Sequence, residues 1–200
     1  MSVEDQLIAL DPHFAPVIAT VGRLDFTALQ KGPYVALLGA ILGQKIAFIE
    51  ARKLRSHLYA TYGTDFAYTD FLRQPEKWTL LKSQLPADKV AIIENLHRYL
   101  DKQPADYLIV SPTDTNGERV KRNIQALTDV YGIGPWTINN CLLVAGLDMD
   151  IFLPEDYFLR KRIQKMYDLS KMPMPAECSR YAERWRPLRG YAAWILWRWL

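Results

Sequence analysis

The chain has 200 residues, half of them hydrophobic and 24% charged, with a formal net charge of +3. That composition belongs to a folded globular chain and excludes a disordered one, and no apolar run reaches the roughly 18 residues of a membrane span. Two cysteines, Cys141 and Cys178, and three histidines exclude a four-cysteine iron–sulfur cluster, and their spacing does not fit a zinc site with two cysteine and two histidine ligands.

The elements in chain order are helical. Pro33 to Ile41 is apolar and small and predicts a buried helix. Ile46 to Tyr62 predicts an amphipathic helix with Ile46, Ile49, Leu54 and Leu58 as core positions, stopped at Gly63. Pro75 opens a short helix through Leu81. Pro86 starts a longer one, with Val90, Ile93, Leu96, His97 and Leu100 at helical spacing. Tyr107 to Val110 is the only strand-like run. The polar stretch 111–117 reads as a loop and as the boundary between two lobes. Val120, Ile124 and Leu127 form a further helical stripe. After the turn Gly132-Ile133-Gly134, helices are expected at Trp136–Ala145, Tyr157–Tyr167 and Leu188–Leu200. The fold class is all-α.

Charge is unevenly spread. Residues 1–118 carry 12 Lys/Arg against 14 Asp/Glu, and residues 119–200 carry 13 against 8. A basic C-terminal half suits a polyanionic partner, and equally suits a solvated helix surface. Both cysteines read as buried thiols of a reducing compartment. Residues Met1 to Gln6 lack the basic and apolar regions of a signal peptide.

The informative stretch runs from Leu127 to Thr137. Its glycines allow a sharp turn and close approach to a ligand. The helix that follows begins with unpaired N–H groups around Gly134 to Thr137, and these with the helix dipole suit a phosphate. Alone, Gly-x-Gly between helices is most often an ordinary turn. Here the stretch resembles the helix-hairpin-helix of the DNA glycosylase superfamily. It is followed by Asp150-Ile151-Phe152-Leu153-Pro154-Glu155-Asp156-Tyr157 and then by the block from Tyr181 to Ala192, ahead of an aromatic helix. In this order the three blocks are similar to the 3-methyladenine DNA glycosylase II (alkylpurine glycosylase) branch. Upstream, Ala40-Ile41-Leu42-Gly43-Gln44 is similar to the family segment that enters the minor groove, so the match covers about residues 34–200.

The resemblance implies a compact helical DNA glycosylase fold. Its helix-hairpin-helix lies at about 119–146, and two helical lobes flank an active-site cleft. It also implies that the N-terminal β-rich lobe of some bacterial relatives is missing. The activity implied is excision of alkylated purines from damaged double-stranded DNA, in base excision repair, by a monomer that flips the base out. The family's catalytic carboxylate falls on Asp156. The chemistry agrees, because cleaving an N-glycosidic bond builds positive charge on the sugar, which a carboxylate near C1′ stabilises while it directs water. An aspartate after Pro-x is more often a helix cap. The hairpin about 20 residues upstream turns the preference towards catalysis. Glu155 is the rival, read as pocket edge or cap.

Where lyase members carry a Schiff-base lysine, this chain has Trp136, which implies a monofunctional enzyme. A flipped base is held by stacking, and a cationic alkylated base gains cation–π attraction. The implied base pocket is Trp136, Asn140, Tyr157, Trp194 and Trp197. Trp185 and Trp199 read as core or interface residues. Asn140 departs from an aromatic in a close relative and leaves the lesion open. The implied DNA contacts are Gln44, Lys45, Gly132, Gly134, Trp136 and Thr137. Lys45 stands at the wedge that fills the gap left by the flipped nucleotide, with a solvated lysine as the competing reading. Gln44 would contact the opposite strand or cap. Arg186 and Arg189 are either structural or phosphate-facing.

No cofactor is required and no iron–sulfur cluster is expected. The family suggests Na+ or K+ held by the carbonyls of Thr128, Val130 and Ile133. The expected compartment is the cytoplasm or nucleoid of a prokaryote, or a nucleus. A glycosylase for ethenoadenine, hypoxanthine, oxidised or mismatched bases stays open, as does a non-catalytic helix-hairpin-helix protein.

Overall fold

The computed structural model describes residues 1–46, 48–111 and 117–199, without the side chain of Phe48. Among these residues there are thirteen α-helices and no strand. In chain order they are α1 (Val3–Leu10), α2 (Phe14–Val21), α3 (Phe26–Leu29), α4 (Pro33–Gly43), α5 (Phe48–Tyr62), α6 (Tyr68–Leu72), α7 (Pro75–Lys82), α8 (Ala87–Leu100), α9 (Glu118–Ala126), α10 (Pro135–Val144), α11 (Tyr157–Met166), α12 (Pro175–Glu183) and α13 (Arg189–Arg198). None of them is long and apolar enough to cross a membrane.

The chain divides into two compact units, one of residues 1–29 with 148–200 and one of residues 30–147. The expected lobe boundary at 111–117 does not coincide with either limit. Residues 112–116 lie outside the described residues, while Ser111 and Gly117 fall within the second unit. The chain leaves the first unit before α4 and returns after α10, so the first unit is built from both ends of the sequence.

The second unit is organised around α4. Pro33 at its first position and Gly32 at the cap start the helix. Every residue from Tyr34 to Leu42 is buried. A helix that is apolar all round has to be enclosed, and α5, α8 and α10 pack against it. Helix α8 turns Ile93, Leu96 and Leu100 inward on one stripe, and Lys89 is buried on the same stripe. An aromatic cluster closes around His97, whose Nε2 lies 2.7 Å from the Tyr34 hydroxyl, with Phe71 and Trp78 against its ring. Helix α5 ends where expected, with Gly63 N bonded to Tyr59 O at 2.8 Å and a positive φ at the glycine. Leu58 is buried, but Ile49, expected in the core, is 67% exposed. Ile49 sits in the first turn of α5. Tyr107 to Val110 forms turn and coil instead of a strand.

The core of the first unit is Trp185. It is fully buried and packs edge-on against Phe14 and Phe152. Its indole N–H donates to Asp11 Oδ2 at 3.0 Å. Arg189 clamps Asp150 through Nε (2.8 Å) and Nη2 (3.2 Å) and reaches Glu183, while Arg186 also bonds Asp150 and Glu183. Both arginines are therefore structural, tying the loop before α11 to α12 and α13. Cys141 and Cys178 are free and buried, one in each unit, and burial pushes both thiols up, Cys178 to about 11.

Candidate active site

In the first unit, the segment Phe152-Leu153-Pro154 delivers the chain to α11. Phe152 and Leu153 are buried. Glu155 points to solvent and Asp156 does not: Asp156 is 9% exposed. Asp156 is the N-cap of α11, accepting the Leu159 N–H on Oδ1 at 3.0 Å. The same oxygen accepts the indole N–H of Trp197 at 3.3 Å. Two donors from different helices thus fix the carboxylate's direction. The cap reading is correct as far as it goes, and it is compatible with chemistry: capping orients the group and leaves its charge intact. Trp194 lies one turn before Trp197 on α13, and the rings meet edge to face with centroids 5.9 Å apart. The structure therefore gathers Asp156, Trp194 and Trp197 in one cluster. Tyr157 is less enclosed, 52% exposed, with its ring edge on Phe158 and Lys161 Nζ 5.8 Å from its centroid.

In the second unit the hairpin follows α9, whose buried Val120 and Ile124 continue to Leu127 in a single turn of 3-10 helix. Ile133 is the buried anchor of the turn. Gly132 has φ +91°, and a Cβ there would stand 2.5 Å from Ile92, so only glycine fits. Gly134 is the opposite case: a Cβ would meet nothing within 4 Å, which leaves open space beside the backbone. Gly134 caps α10 without any side-chain bond and Pro135 takes the first helical position. Gly134 and Pro135 are exposed, and the first N–H groups of α10 have no intrahelical acceptor, a helix start suited to an anion.

The remaining expected contacts also lie in this unit. Trp136 is half-buried, and its ring lies against Gly43 at the end of α4, with Cη2 3.7 Å from where a Cβ would stand. Asn140 is half-buried one turn further along α10. Gln44 is the C-cap of α4, and its side chain is directed inward: Nε2 donates to Gly132 O at 2.8 Å and to Thr137 Oγ1 at 2.7 Å. Lys45 is exposed with a φ of 54°. Val130 O accepts from Ile133 N at 3.0 Å.

No family model matches the chain. DNA-3-methyladenine glycosylase 2 of Escherichia coli is 29% identical over 161 residues, which is 79% of this chain and 54% of that protein. DNA-3-methyladenine glycosylase 1 of Schizosaccharomyces pombe is 24% identical over 98% of this chain and 85% of that protein. This chain thus spans about half the length of the Escherichia coli relative. A solved structure of the Schizosaccharomyces pombe 3-methyladenine DNA glycosylase in complex with abasic DNA superposes with a TM-score of 0.73 at 22% identity, covering 99% of this chain and 96% of that one. The chain has the helix-hairpin-helix DNA glycosylase fold. The relatives at 29% and 24% identity are named DNA-3-methyladenine glycosylases, the branch that the three sequence blocks resemble.

Within this glycosylase fold, the sequence reading missed Lys89. It is buried on the apolar stripe of α8, and its Nζ donates to Gln44 O at 2.7 Å. A lysine in register with Ile93, Leu96 and Leu100 was the available signal, since a charge on an apolar stripe needs a partner.

Proposed function

We propose that the chain is a monofunctional DNA glycosylase that excises alkylated purines from duplex DNA and leaves an abasic site. The observation that carries this reading is Asp156, buried at the start of α11 with Leu159 N–H and Trp197 N–H both on Oδ1. In the proposed reaction the bond from C1′ to the base breaks, its electron pair leaves with the base, and positive charge develops on the sugar. The oriented carboxylate stabilises that charge and directs the water that supplies the new C1′–O bond. An N-alkylated purine already carries positive charge and leaves readily. Trp136 gives it an indole face, and the same residue replaces the lysine that a lyase would need. The hairpin from Gly132 to Thr137 holds phosphate through backbone N–H groups, and Lys45 enters the gap left by the flipped nucleotide. The names of the two relatives above, both DNA-3-methyladenine glycosylases, support the substrate class.

A monovalent cation at the hairpin is part of the proposal. The carbonyls of Thr128, Val130 and Ile133 are hard, neutral oxygens suited to Na+ or K+. Val130 O already accepts one hydrogen bond and keeps a second lone pair for the ion. The protein is expected to act as a monomer in the compartment that holds its DNA.

A second reading, preference for neutral lesions such as hypoxanthine or ethenoadenine, is favoured by Asn140. Its half-buried amide makes no hydrogen bond to the described residues and has both donors and an acceptor to offer a base edge. One assay tests both readings. Duplexes carrying 7-methylguanine, ethenoadenine, hypoxanthine or an oxidised base are incubated with the protein, and the released bases are quantified with and without borohydride. Release of the methylated base with no trapped adduct is the expected result. No release from any duplex overturns the enzyme reading, and a trapped adduct overturns the monofunctional one.

A further inference from the structure

Lys45 pays a conformational cost. Its φ of 54° lies in the left-handed region, which disfavours a residue with a Cβ. A strained residue persists only where its surroundings over-determine it. Here the residue before it is held from both sides. Gln44 Nε2 donates to Gly132 O and Thr137 Oγ1, which ties the turn to the hairpin and to the first turn of α10. Gln44 O accepts from Lys89 Nζ at 2.7 Å, which ties the same residue to α8. Lys89 is 2% exposed, and its carboxylate partner among the described residues is Asp88, 3.6 Å away and itself well exposed. Burying an ammonium on a stripe otherwise made of Ile93, Leu96 and Leu100 is costly, and an apolar residue would pack there with no such cost.

We propose that Lys89 and Gln44 form a brace that locks the Lys45 turn to the phosphate-binding hairpin, so that the grip on the duplex sets the position from which Lys45 enters it. Lys89 is then a positioning residue for base flipping. This rests on the glycosylase reading above. The hairpin and the wedge have to act in one register. A turn free to relax from φ 54° would carry Lys45 away from the gap even with the hairpin fully bound. The other role open to Lys89 is a simple cap for the carbonyl that ends α4. A cap acts on the stability of the fold and is indifferent to the state of the DNA.

The test uses the full chain and a duplex with 7-methylguanine beside 2-aminopurine, whose fluorescence reports unstacking. A second duplex places the same lesion in a bulge, where flipping costs less. Lys89→Met is expected to bind undamaged duplex as the parent does and to lose roughly 10- to 100-fold in the rate of fluorescence gain and base release on the intact duplex. On the bulged duplex most of that loss should disappear. Gln44→Met removes the side-chain donors without adding charge. Measured at saturating protein, so that any change in duplex binding drops out, it should show the same loss on the intact duplex and the same recovery on the bulged one, and it carries the test if Lys89→Met fails to fold by circular dichroism. Parent-like flipping by a folded variant overturns the brace, as does an equal loss on both duplexes. If the parent releases no base from either duplex, it is the glycosylase reading that fails.

Discussion

Asp11 and Asp156 are both buried carboxylates of the first unit, and each accepts a hydrogen bond from a tryptophan indole. Their settings differ. Asp11 is 1% exposed and is wrapped by Trp185 N–H, the Tyr167 hydroxyl, and the ring and backbone N–H groups of His13. Its tryptophan is fully buried as well. Asp156 stands at a helix start, its tryptophan is only half-buried, and the next residue, Tyr157, faces solvent. The same pair of side chains builds a core anchor in one place and an oriented carboxylate at the edge of the unit in the other. Burial of the partners tells the two apart better than burial of the aspartates.

The largest expected effect is the exchange of phenotypes between the two. Asp156→Asn keeps an oxygen for Leu159 N–H, and asparagine caps as well as aspartate, so the melting temperature should barely move. Base release should fall by roughly 10²- to 10³-fold, the size of losing one electrostatic contributor to a charged transition state. Asp11→Asn should do the reverse. Removing the charge from a fully wrapped carboxylate should cost about 3 kcal/mol in chemical denaturation, with the folded fraction as active as the parent. A variant pair that loses activity equally, or stability equally, breaks the comparison.

Acid should separate Asp11 from an ionisable group of the second unit, His97. Burial alone would raise the Asp11 carboxyl, but hydrogen bonds from Trp185, Tyr167 and His13 outweigh it and hold it below 3.8. Its stabilisation is complete above the ordinary carboxylate range and disappears as pH falls below it. His97 is pushed down from 6.5 to about 4 by burial, against the pull of Asp101 and Glu94. The unfolded chain therefore takes up a proton that the fold refuses, and stability drops as pH falls from 6.5 towards 4. At 1.36 kcal/mol per pKa unit the loss is about 3 kcal/mol at most. Urea midpoints measured from pH 7 to 3 should show this decline first, and His97→Gln should flatten it while leaving the decline below pH 4 in place.

A smaller effect tests the indole itself. Trp197→Phe keeps a ring and removes the donor to Asp156 Oδ1. The carboxylate stays capped by Leu159 N–H but loses its second constraint, and base release should fall about tenfold, near the energy of one hydrogen bond to a charged group. An unchanged rate would mean that the cap alone orients Asp156.

Much of this was legible in the sequence because it rests on local signals. The apolar run at Pro33–Ile41, the stripe on α8 and the Gly132-Ile133-Gly134 turn each specify their own geometry, and α4, α8 and α10 follow. The N-terminal helices were missed. Helices α1 and α2 have eight residues each, too short for periodicity to declare itself. Ser2 and Asp5 do form a reciprocal capping box, a signal that was there to be read. The boundary expected at 111–117 falls mostly outside the described residues, while the two compact units divide at 29/30 and 147/148, a division set by long-range packing of both chain ends that no local pattern encodes. For the site, its place about 20 residues after the hairpin singled out Asp156, and the Pro-x signal before it foretold the N-cap of α11 that it forms. The inward turn of Gln44 and the burial of Lys89 depend on contacts 45 to 93 residues away, which no local pattern encodes.

The smallest expected effect is at Glu155. It adjoins Asp156 and shares its chemistry, so any account based on charge near the site alone would give both a role. The structure separates them by one residue of backbone. Asp156 turns inward to cap α11, and Glu155, one position earlier, is left in solvent. A carboxylate acts on a developing sugar cation only where water does not screen it and where it is held in place. Glu155 has neither condition. Glu155→Gln should leave base release within about twofold of the parent, as exposed substitutions usually do. A loss approaching that of Asp156→Asn would move the catalytic charge to the exposed neighbour and reduce Asp156 to the helix cap that its position after Pro-x first suggested.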